Sequence, residues 1–334
     1  MSSTAMTIPA TFRGYVAQGF GPFEDNIILR SDLTQAPLQP TQVRIKMQAV
    51  ATNPVDHAVV EMGHIFHPNA PTTEKPLRLG FEGVGTIVEV GKDVADFKVG
   101  DEVVTLSDFD CSGTFAEYHA VDATHLALKP KKVTLHQAAG LPLAGMTSYQ
   151  ALLSAKLTAG DRILIIGGSS AVGAVAIQIA RALGASFVAT TASTRNLEFV
   201  KTFGPDQIID YTQEKWGDVL APHSIDVIYD CNMEPESWAG DAQRVLKKNT
   251  GRFVTADPNY KPNESPIGAT CTTVYATHNQ EQLEFLLKLA SEGKLHVPIN
   301  SVHSFEELLE VLTFQKSKKA QGKLILDIVS TKSP

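Results

Sequence analysis

The stretch ILIIGGSSAVGAVAIQIARALGA, residues 163–185, constrains this chain more than any other. A short apolar run enters a turn of glycine and serine, and an alanine-rich amphipathic stretch leaves it. That order predicts strand, tight turn and helix, with the first-turn amides of the helix open to an anion and its dipole favouring negative charge. Gly168 is expected to permit the tight turn, and Gly173 to let the helix pack closely on the strand. Ser170 stands where a G-x-G-x-x-G fingerprint has its middle glycine. Ser170 and Ala171 are small enough for the backbone to approach a phosphate, and the Ser170 hydroxyl adds a donor. A lone turn of this kind also occurs as a plain structural link, so its neighbours decide.

The neighbours repeat the pattern. FVATT (187–191), QIIDY (207–211), DVIYD (226–230) and RFVTA (252–256) read as further apolar strands, with helical patterns such as RNLEFVKTFG between them. Alternation at this spacing predicts an α/β fold with a doubly wound parallel sheet, a Rossmann domain over residues 141–277. The upstream texture differs. VRIKMQAV (43–50), VGTIVEVG (84–91) and DEVVTL (101–106) are short β-like runs divided by Gly, Pro and Asp, which predicts a strand-dominated, barrel-like unit over residues 1–140. Downstream, EQLEFLLKLASEG and SFEELLEVLTFQK read as helices and GKLILDIVS as a strand. A return of residues 278–334 to the first domain is the economical place for that strand.

Bulk properties narrow the class. A chain of 334 residues with 43% hydrophobic side chains can fill two cores. A formal net charge of −7 argues against a nucleic-acid surface, which would show a basic stripe. No apolar run approaches the roughly 18 residues of a membrane span. MSSTAMTIPATFR, at the N-terminus, has no h-region and a single Arg, so neither a secretory nor a transit signal is expected. Cys111, Cys231 and Cys271 are odd in number and far apart, which suggests a reducing compartment and gives no C-x-x-C metal framework. A cytoplasmic protein is the expectation.

The end of the second strand of the α/β stretch selects the cofactor. An NAD site usually places Asp or Glu about 20 residues beyond the glycines to hold the ribose 2′-hydroxyl. Here the stretch is TTASTRN (190–196), with no acid before Glu198. The hydroxyls of Ser193 and Thr194, the Arg195 guanidinium and the neighbouring Asn196 suit a 2′-phosphate instead. Tyr211 can add a phenol. Arg195 alone also reads as a solvated residue at a helix start; the missing acid together with this polar cluster favours NADPH.

Several longer motifs carry a family resemblance. LGFEGVGTIVEVGKDVADFKVGDEVV (79–104), LPLAGMTSYQALL (141–153), the IIGGSSAVG turn and the closing QGKLILDI together resemble the medium-chain dehydrogenase/reductases, and more narrowly the zeta-crystallin-like quinone oxidoreductases. The resemblance covers nearly the whole chain. It implies a GroES-like β-barrel domain built from both chain ends around a Rossmann domain, with NADPH in the cleft between them. It also implies homodimers or homotetramers joined through sheet edges, for which ATCTTVYA (269–276) is the candidate edge strand.

The resemblance further implies chemistry without zinc. The zinc-dependent branch has a cysteine followed three residues later by Asp, and a Gly-His-Glu motif; here those positions hold Asn53 in NPVD and Phe81 in GFEG. His57, His64 and His67 form a dense group in DHAVVEMGHIFH, but Gly63 interrupts it and no regular helical face results. Loop or cleft histidines are the expectation there, and no metal site. Without a Lewis acid, quinones and conjugated enones are the natural acceptors, because the charge left by hydride is delocalised.

By the same resemblance, Asn53 and Asp56 match the N-x-x-D/E motif at the nicotinamide end, and Thr147 the carboxamide contact. The pyrophosphate falls to Gly168, Ser169, Ser170, Ala171 and Val172. Asn232, Thr255, Ala256 and Asp257 follow strand ends at the base of the cleft, and Lys323 sits where the returning chain approaches the cofactor. His57 can donate a proton at neutral pH. Bland readings stand beside these: Asp56 as a turn-fixing acid, Lys323 as a surface charge, His57 as a structural histidine. The chain also departs from relatives that carry an Arg and Tyr after N-x-x-D, offering Ala58, Val60, His64 and Ile65. The leading expectation is an NADPH-dependent, zinc-independent quinone or enone reductase acting on a small molecule. The alternatives are a reductase of alkenal or 2-enoyl double bonds, and an NADPH-binding protein with a structural, sensing or RNA-binding role.

Overall fold

The computed structural model describes residues 8–108 and 113–328. Residues 1–7, Cys111, and the final Val329 and Ser330 of the closing run lie outside them. In chain order the strands begin with β1 (Thr11–Ala17), β2 (Ile27–Thr34), β3 (Gln42–Thr52), β4 (Leu77–Arg78), β5 (Glu82–Val90), β6 (Glu102–Leu106), β7 (Tyr118–Asp122) and β8 (Leu126–Leu128). They continue with β9 (Arg162–Ile166), β10 (Phe187–Ala192), β11 (Gln207–Asp210), β12 (Val227–Asp230), β13 (Arg252–Thr255) and β14 (Thr270–Thr273). The last two are β15 (Ile299–Ser304) and β16 (Lys323–Asp327). Two compact units result. One holds residues up to Leu143, His278–Leu287 and the chain from Ile299 onward; the other holds Ala144–Thr277 and Lys288–Pro298.

In the first unit β3 is the central element. It pairs antiparallel with β5 and β16 along its flanks and with β7 over its first half. The resulting sheet runs β15-β16-β3-β5-β6-β8, and a small sheet runs β2-β1-β4. Among the described residues the strand path of this unit is open, with β15 and β8 ending it unpaired with each other. Side chains alternating along β3 supply Val43, Ile45 and Met47 to the core, where they join Phe81, Ile87, Phe115, Leu324 and Leu326. The returning strand is thereby explained. KLILD is buried at four of its five positions, and Leu324 and Leu326 pair opposite Thr52 and Val50. An apolar strand of this kind is stable only against a sheet that hides both of its faces.

The second unit is a six-stranded sheet of order β11-β10-β9-β12-β13-β14, parallel at every pairing. The five apolar runs read from the sequence all form its strands. They are legible because parallel strands covered on both faces are apolar almost without interruption: Ile163, Leu164, Ile165 and Ile166 of β9 are all within 2% of complete burial. The order reverses between β9 and β12, the topological switch point beyond whose strand ends ligands bind in such sheets. β14 lies at the sheet edge, as ATCTTVYA suggested, although only Thr270–Thr273 of that run pairs.

Candidate cofactor and polar sites

The turn leaving β9 is built on Gly167, not on Gly168. Gly167 has φ +96°, a left-handed conformation that costs glycine little. A Cβ there would fall 2.3 Å from Asn232 Oδ1. Two adjacent glycines leave the choice open in the sequence; it is settled by β9 ending at Ile166. Gly168 instead leaves room for Thr190, whose Oγ1 would lie 2.2 Å from an added Cβ. At Gly173 a Cβ would come within 2.2 Å of Gly167 O, so the helix rests on the turn only because that residue is glycine.

Ser170 is the N-cap of the helix Ala171–Ala182. Its Oγ accepts the Gly173 N–H at 2.9 Å and donates to Gly167 O at 2.9 Å. The hydroxyl expected to donate to phosphate is thus engaged by the backbone, because a serine before a helix satisfies one of its orphan amides. The amides of Ala171 and Val172, at the next two positions, have no intrahelical partner by helix geometry. Ser169, half-buried, precedes the cap.

At the end of β10, Ser193 Oγ is buried without a hydrogen-bond partner. Arg195 beside it is exposed and Asn196 is buried. The acid nearest this cluster, Asp210 at the end of β11, is occupied: it accepts from Thr194 Oγ1 at 2.5 Å and from Thr212 Oγ1 at 2.7 Å. The Thr194 hydroxyl, first among its partners, holds the Asp210 carboxyl below the usual carboxylate range. Tyr211 is 56% exposed. A buried hydroxyl lacking a partner and an exposed guanidinium, with the local acid tied down, fit an added phosphate.

Beyond β12, Asp230 braces the strand ends. Its carboxylate accepts from Thr255 Oγ1 and Glu234 N at 2.8 Å each, and from Asn232 N at 3.1 Å. Burial pushes the carboxyl up to about 6 against those bonds. Thr255 is wholly buried, and its Oγ1 also accepts the Asp257 N–H, so it acts as a brace and presents no free group to a ligand. Ala256 and Asp257 are half-buried and Asn232 is exposed. Thr147 is half-buried on the helix Pro142–Ser154.

The first unit holds a separate polar cluster. Asn53 follows β3 and caps the helix Pro54–Glu61; its N–H donates to Asp56 Oδ2 at 2.6 Å. Its side chain is clamped at both ends, Nδ2 donating to Glu82 Oε1 at 2.7 Å and Oδ1 accepting from Lys323 Nζ at 2.6 Å. Lys323 Nζ also donates to Glu82 Oε1 at 2.6 Å and to Thr52 O at 3.0 Å. An ammonium has three N–H groups, and all three have acceptors. Lys323 is therefore neither the surface charge nor the free cofactor contact that its sequence context suggested. Asn53, Asp56, Glu82 and Lys323 are at most 5% exposed. Burial pushes the Asp56 carboxyl up to about 8, against the Asn53 N–H and Lys323. His57 stands outside this network: its Nδ1 lies 3.0 Å from Glu61 Oε2, and Glu61 also pairs with Lys316. His64 is exposed and His67 stacks on Phe20.

Comparison with known proteins places this architecture. The family model of the alcohol dehydrogenase GroES-like domain matches residues 39–131, and that of the zinc-binding dehydrogenases residues 203–326. The chain is 32% identical over 334 residues to a 2-methylene-furan-3-one reductase of Solanum lycopersicum, covering 97% of this chain and 81% of that one. It is 39% identical over 329 residues to an NADPH-dependent alkenal/one oxidoreductase, chloroplastic, of Arabidopsis thaliana, covering 96% and 80%. The chain belongs to the medium-chain dehydrogenase/reductase superfamily of oxidoreductases. Among solved structures, the quinone oxidoreductase from Coxiella burnetii superposes with a TM-score of 0.83 at 27% identity, covering 96% of this chain and all of that one.

Within the medium-chain pattern, the residue that sequence reasoning passed over is Glu82. It follows Phe81 in GFEG, and its Oε2 also accepts the Leu143 N–H at 2.7 Å. An acid inside an otherwise apolar stretch was the available signal, since a buried carboxylate requires a cation or several donors. Phe81 itself is 3% exposed and belongs to the apolar core. No helix among the described residues is long and apolar enough to cross a membrane.

Proposed function

We propose that this medium-chain protein is an NADPH-dependent reductase of conjugated carbonyls, quinones or enones, working without zinc at the Asn53 position. The observation that carries the reading is the clamped Asn53 side chain. The residue at the first ligand position of the zinc branch has both ends of its amide held, by Glu82 and by Lys323, and its neighbour at the histidine position is the core residue Phe81. Phe81 has no lone pair for a metal and the Asn53 amide is already engaged at both ends, although one of the matching family models carries zinc in its name. Lys323 supplies the positive charge that Glu82 requires there.

NADPH, when bound, supplies the hydride. Ala171 and Val172 would present their amides to the pyrophosphate, aided by the helix dipole. Ser193 Oγ and Arg195 would take the 2′-phosphate, with Asn196 and Tyr211 alongside, and Thr147, Asn232, Ala256 and Asp257 are the remaining contacts we assign. Gly168 and Ser169 keep the turn low enough for the phosphates to approach. Asn53 and Asp56 act by fixing the β3–helix corner, and His57 is the candidate proton source near it. The relatives named for alkenals, enones and quinones favour an acceptor with a conjugated carbonyl, and the alkenal double-bond reading stands equal to the quinone one. Pairing through the β14 edge would give a homodimer or homotetramer. The free thiols of Cys231 and Cys271 agree with a reducing compartment, which we assign as the cytoplasm.

NADPH oxidation by the chelator-treated protein, assayed in parallel with 1,4-benzoquinone and with a 2-alkenal against protein-free blanks, tests this reading. Chelator-insensitive turnover with either acceptor supports it, and the ratio of kcat/KM values selects the acceptor class. Tight NADPH binding without turnover on either would replace it with the non-catalytic alternative.

A further inference from the structure

Asp108, His125 and His278 come together from three distant parts of the first unit, although 17 and 153 residues separate them in turn. One ligand-type atom from each lies within 4.8 Å of those of the other two. Asp108 follows β6; His125 closes the 3-10 turn Ala123–His125 that leads into β8; His278 precedes the helix Gln280–Ser291. Neighbouring strands bring the first two together, since β6 and β8 pair with Thr105 opposite Leu126.

The protonation pattern is set by the backbone. His125 Nδ1 lies 3.0 Å from the Leu106 carbonyl, which only accepts, so Nδ1 carries the proton and Nε2 carries the lone pair. A histidine oriented by a carbonyl on one nitrogen and open on the other is the arrangement that metal-binding imidazoles use. His125 is 9% exposed, whereas the side chains of His278 and Asp108 are about one-third exposed, which gives the group a protected floor and an entry side. Asp108 grips His278 twice: Oδ2 takes the ring Nδ1–H at 2.6 Å and Oδ1 the backbone N–H at 3.3 Å.

We propose that these three side chains form a site for a divalent transition-metal ion, in which the metal replaces the proton shared by His278 and Asp108. With ligand bonds of about 2.0–2.1 Å, a tetrahedral edge spans roughly 3.3 Å. The His278–Asp108 pair therefore opens by less than 1 Å to admit the ion. The two imidazoles lie face to face, 3.6 Å between centroids and 24° apart, so binding also turns His278 out of the stack. His278 belongs to no helix or strand, so that rotation breaks no ladder or helix bond. Two nitrogens and one carboxylate oxygen select zinc-like ions over Mg²⁺ and Ca²⁺, which need mostly oxygen. Three protein ligands leave a fourth position for water. The site shares no residue with Asn53 or Phe81, and its effect is to clip three chain segments together.

Equilibrium dialysis of the chelator-stripped full-length protein against buffered Zn²⁺, with bound metal measured by elemental analysis, tests the proposal. One Zn²⁺ per chain is expected, with a raised Tm, because the ion binds only the folded arrangement of the three side chains. Asp108→Asn and His278→Ala should each weaken binding at least tenfold, while His64→Ala, at an exposed histidine elsewhere, should not. His278→Gln, which keeps a polar side chain beside Asp108, serves if the alanine variant does not fold. Wild-type protein that retains no more zinc than the His278 variant overturns the assignment, as does loss of the bound ion in His64→Ala. Millimolar Mg²⁺ displacing the zinc would overturn the choice of metal class.

Discussion

Lys323 Nζ lies 2.6 Å from Glu82 Oε1, and the two side chains are 3% and 0% exposed. A pair this deep owes little to Coulomb attraction net of desolvation, but breaking it leaves a charge stranded. Lys323→Met should therefore cost roughly 3–5 kcal/mol, and adding Glu82→Gln should restore much of that loss. Urea unfolding of both single variants and the double variant measures the coupling; strictly additive effects would show that the two residues do not depend on each other.

Asp56 makes stability depend on pH. Its folded-state value of about 8 is above the usual carboxylate range, so the folded protein holds the proton more tightly than the unfolded chain. That contribution is complete below about pH 4 and is lost as pH rises towards 8, at up to about 1.4 kcal/mol per pH unit. Asp56→Asn keeps an acceptor for the Asn53 N–H and cannot ionise. The stability of wild type relative to this variant should fall steadily from pH 5 to pH 8. Parallel curves would mean that Asp56 is ionised in the fold.

Ser170→Ala separates capping from phosphate binding. Loss of the cap should lower stability by about 1 kcal/mol, with NADPH affinity changed less than about threefold, because the hydroxyl is already bonded to Gly167 O and the Gly173 amide. Calorimetric binding and thermal unfolding on one preparation decide it. Unchanged stability with a tenfold weaker NADPH Kd would return the hydroxyl to the phosphate.

Arg195→Ala tests the choice of dinucleotide. A charge-assisted hydrogen bond worth about 1.5–3 kcal/mol predicts a roughly 10- to 150-fold rise in the NADPH Kd. The NADH Kd should move less than about twofold. An equal loss for both nucleotides would give Arg195 a general adenosine contact and remove the argument for the 2′-phosphate.

The α/β unit was legible because its strands are short, nearly unbroken apolar runs, as in ILII and VIY, which only a sheet covered on both faces accommodates. Features that depend on exact register were less so. Gly167 and Gly168 are adjacent and interchangeable in a motif, and only the end of β9 distinguishes the left-handed residue from its neighbour. Ser170 matched a phosphate-binding position, yet local bonding to the helix start claims the hydroxyl first. Lys323 was beyond reach for another reason, whereas Glu82 at least stood out as an acid inside an apolar stretch. Nothing local marks a lysine as buried when its partner is 241 residues away. Asp108, His125 and His278 were hidden in the same way, each unremarkable until strand pairing and chain return bring them together.

The pairing of β16 with β3 also sets a timetable for synthesis. Glu82 and Asn53 leave the ribosome 241 and 270 residues ahead of Lys323. At about 5–20 residues per second, the acid waits roughly 10–50 s for its cation. During that interval burial of the Glu82 carboxylate is opposed by its own hydration, so the upstream strands are held short of their final packing. Every strand of the parallel sheet, by contrast, has its partners by Thr273, 50 residues before Lys323. Residue 323 thus works as a clasp fastened only after the whole parallel sheet has been synthesised.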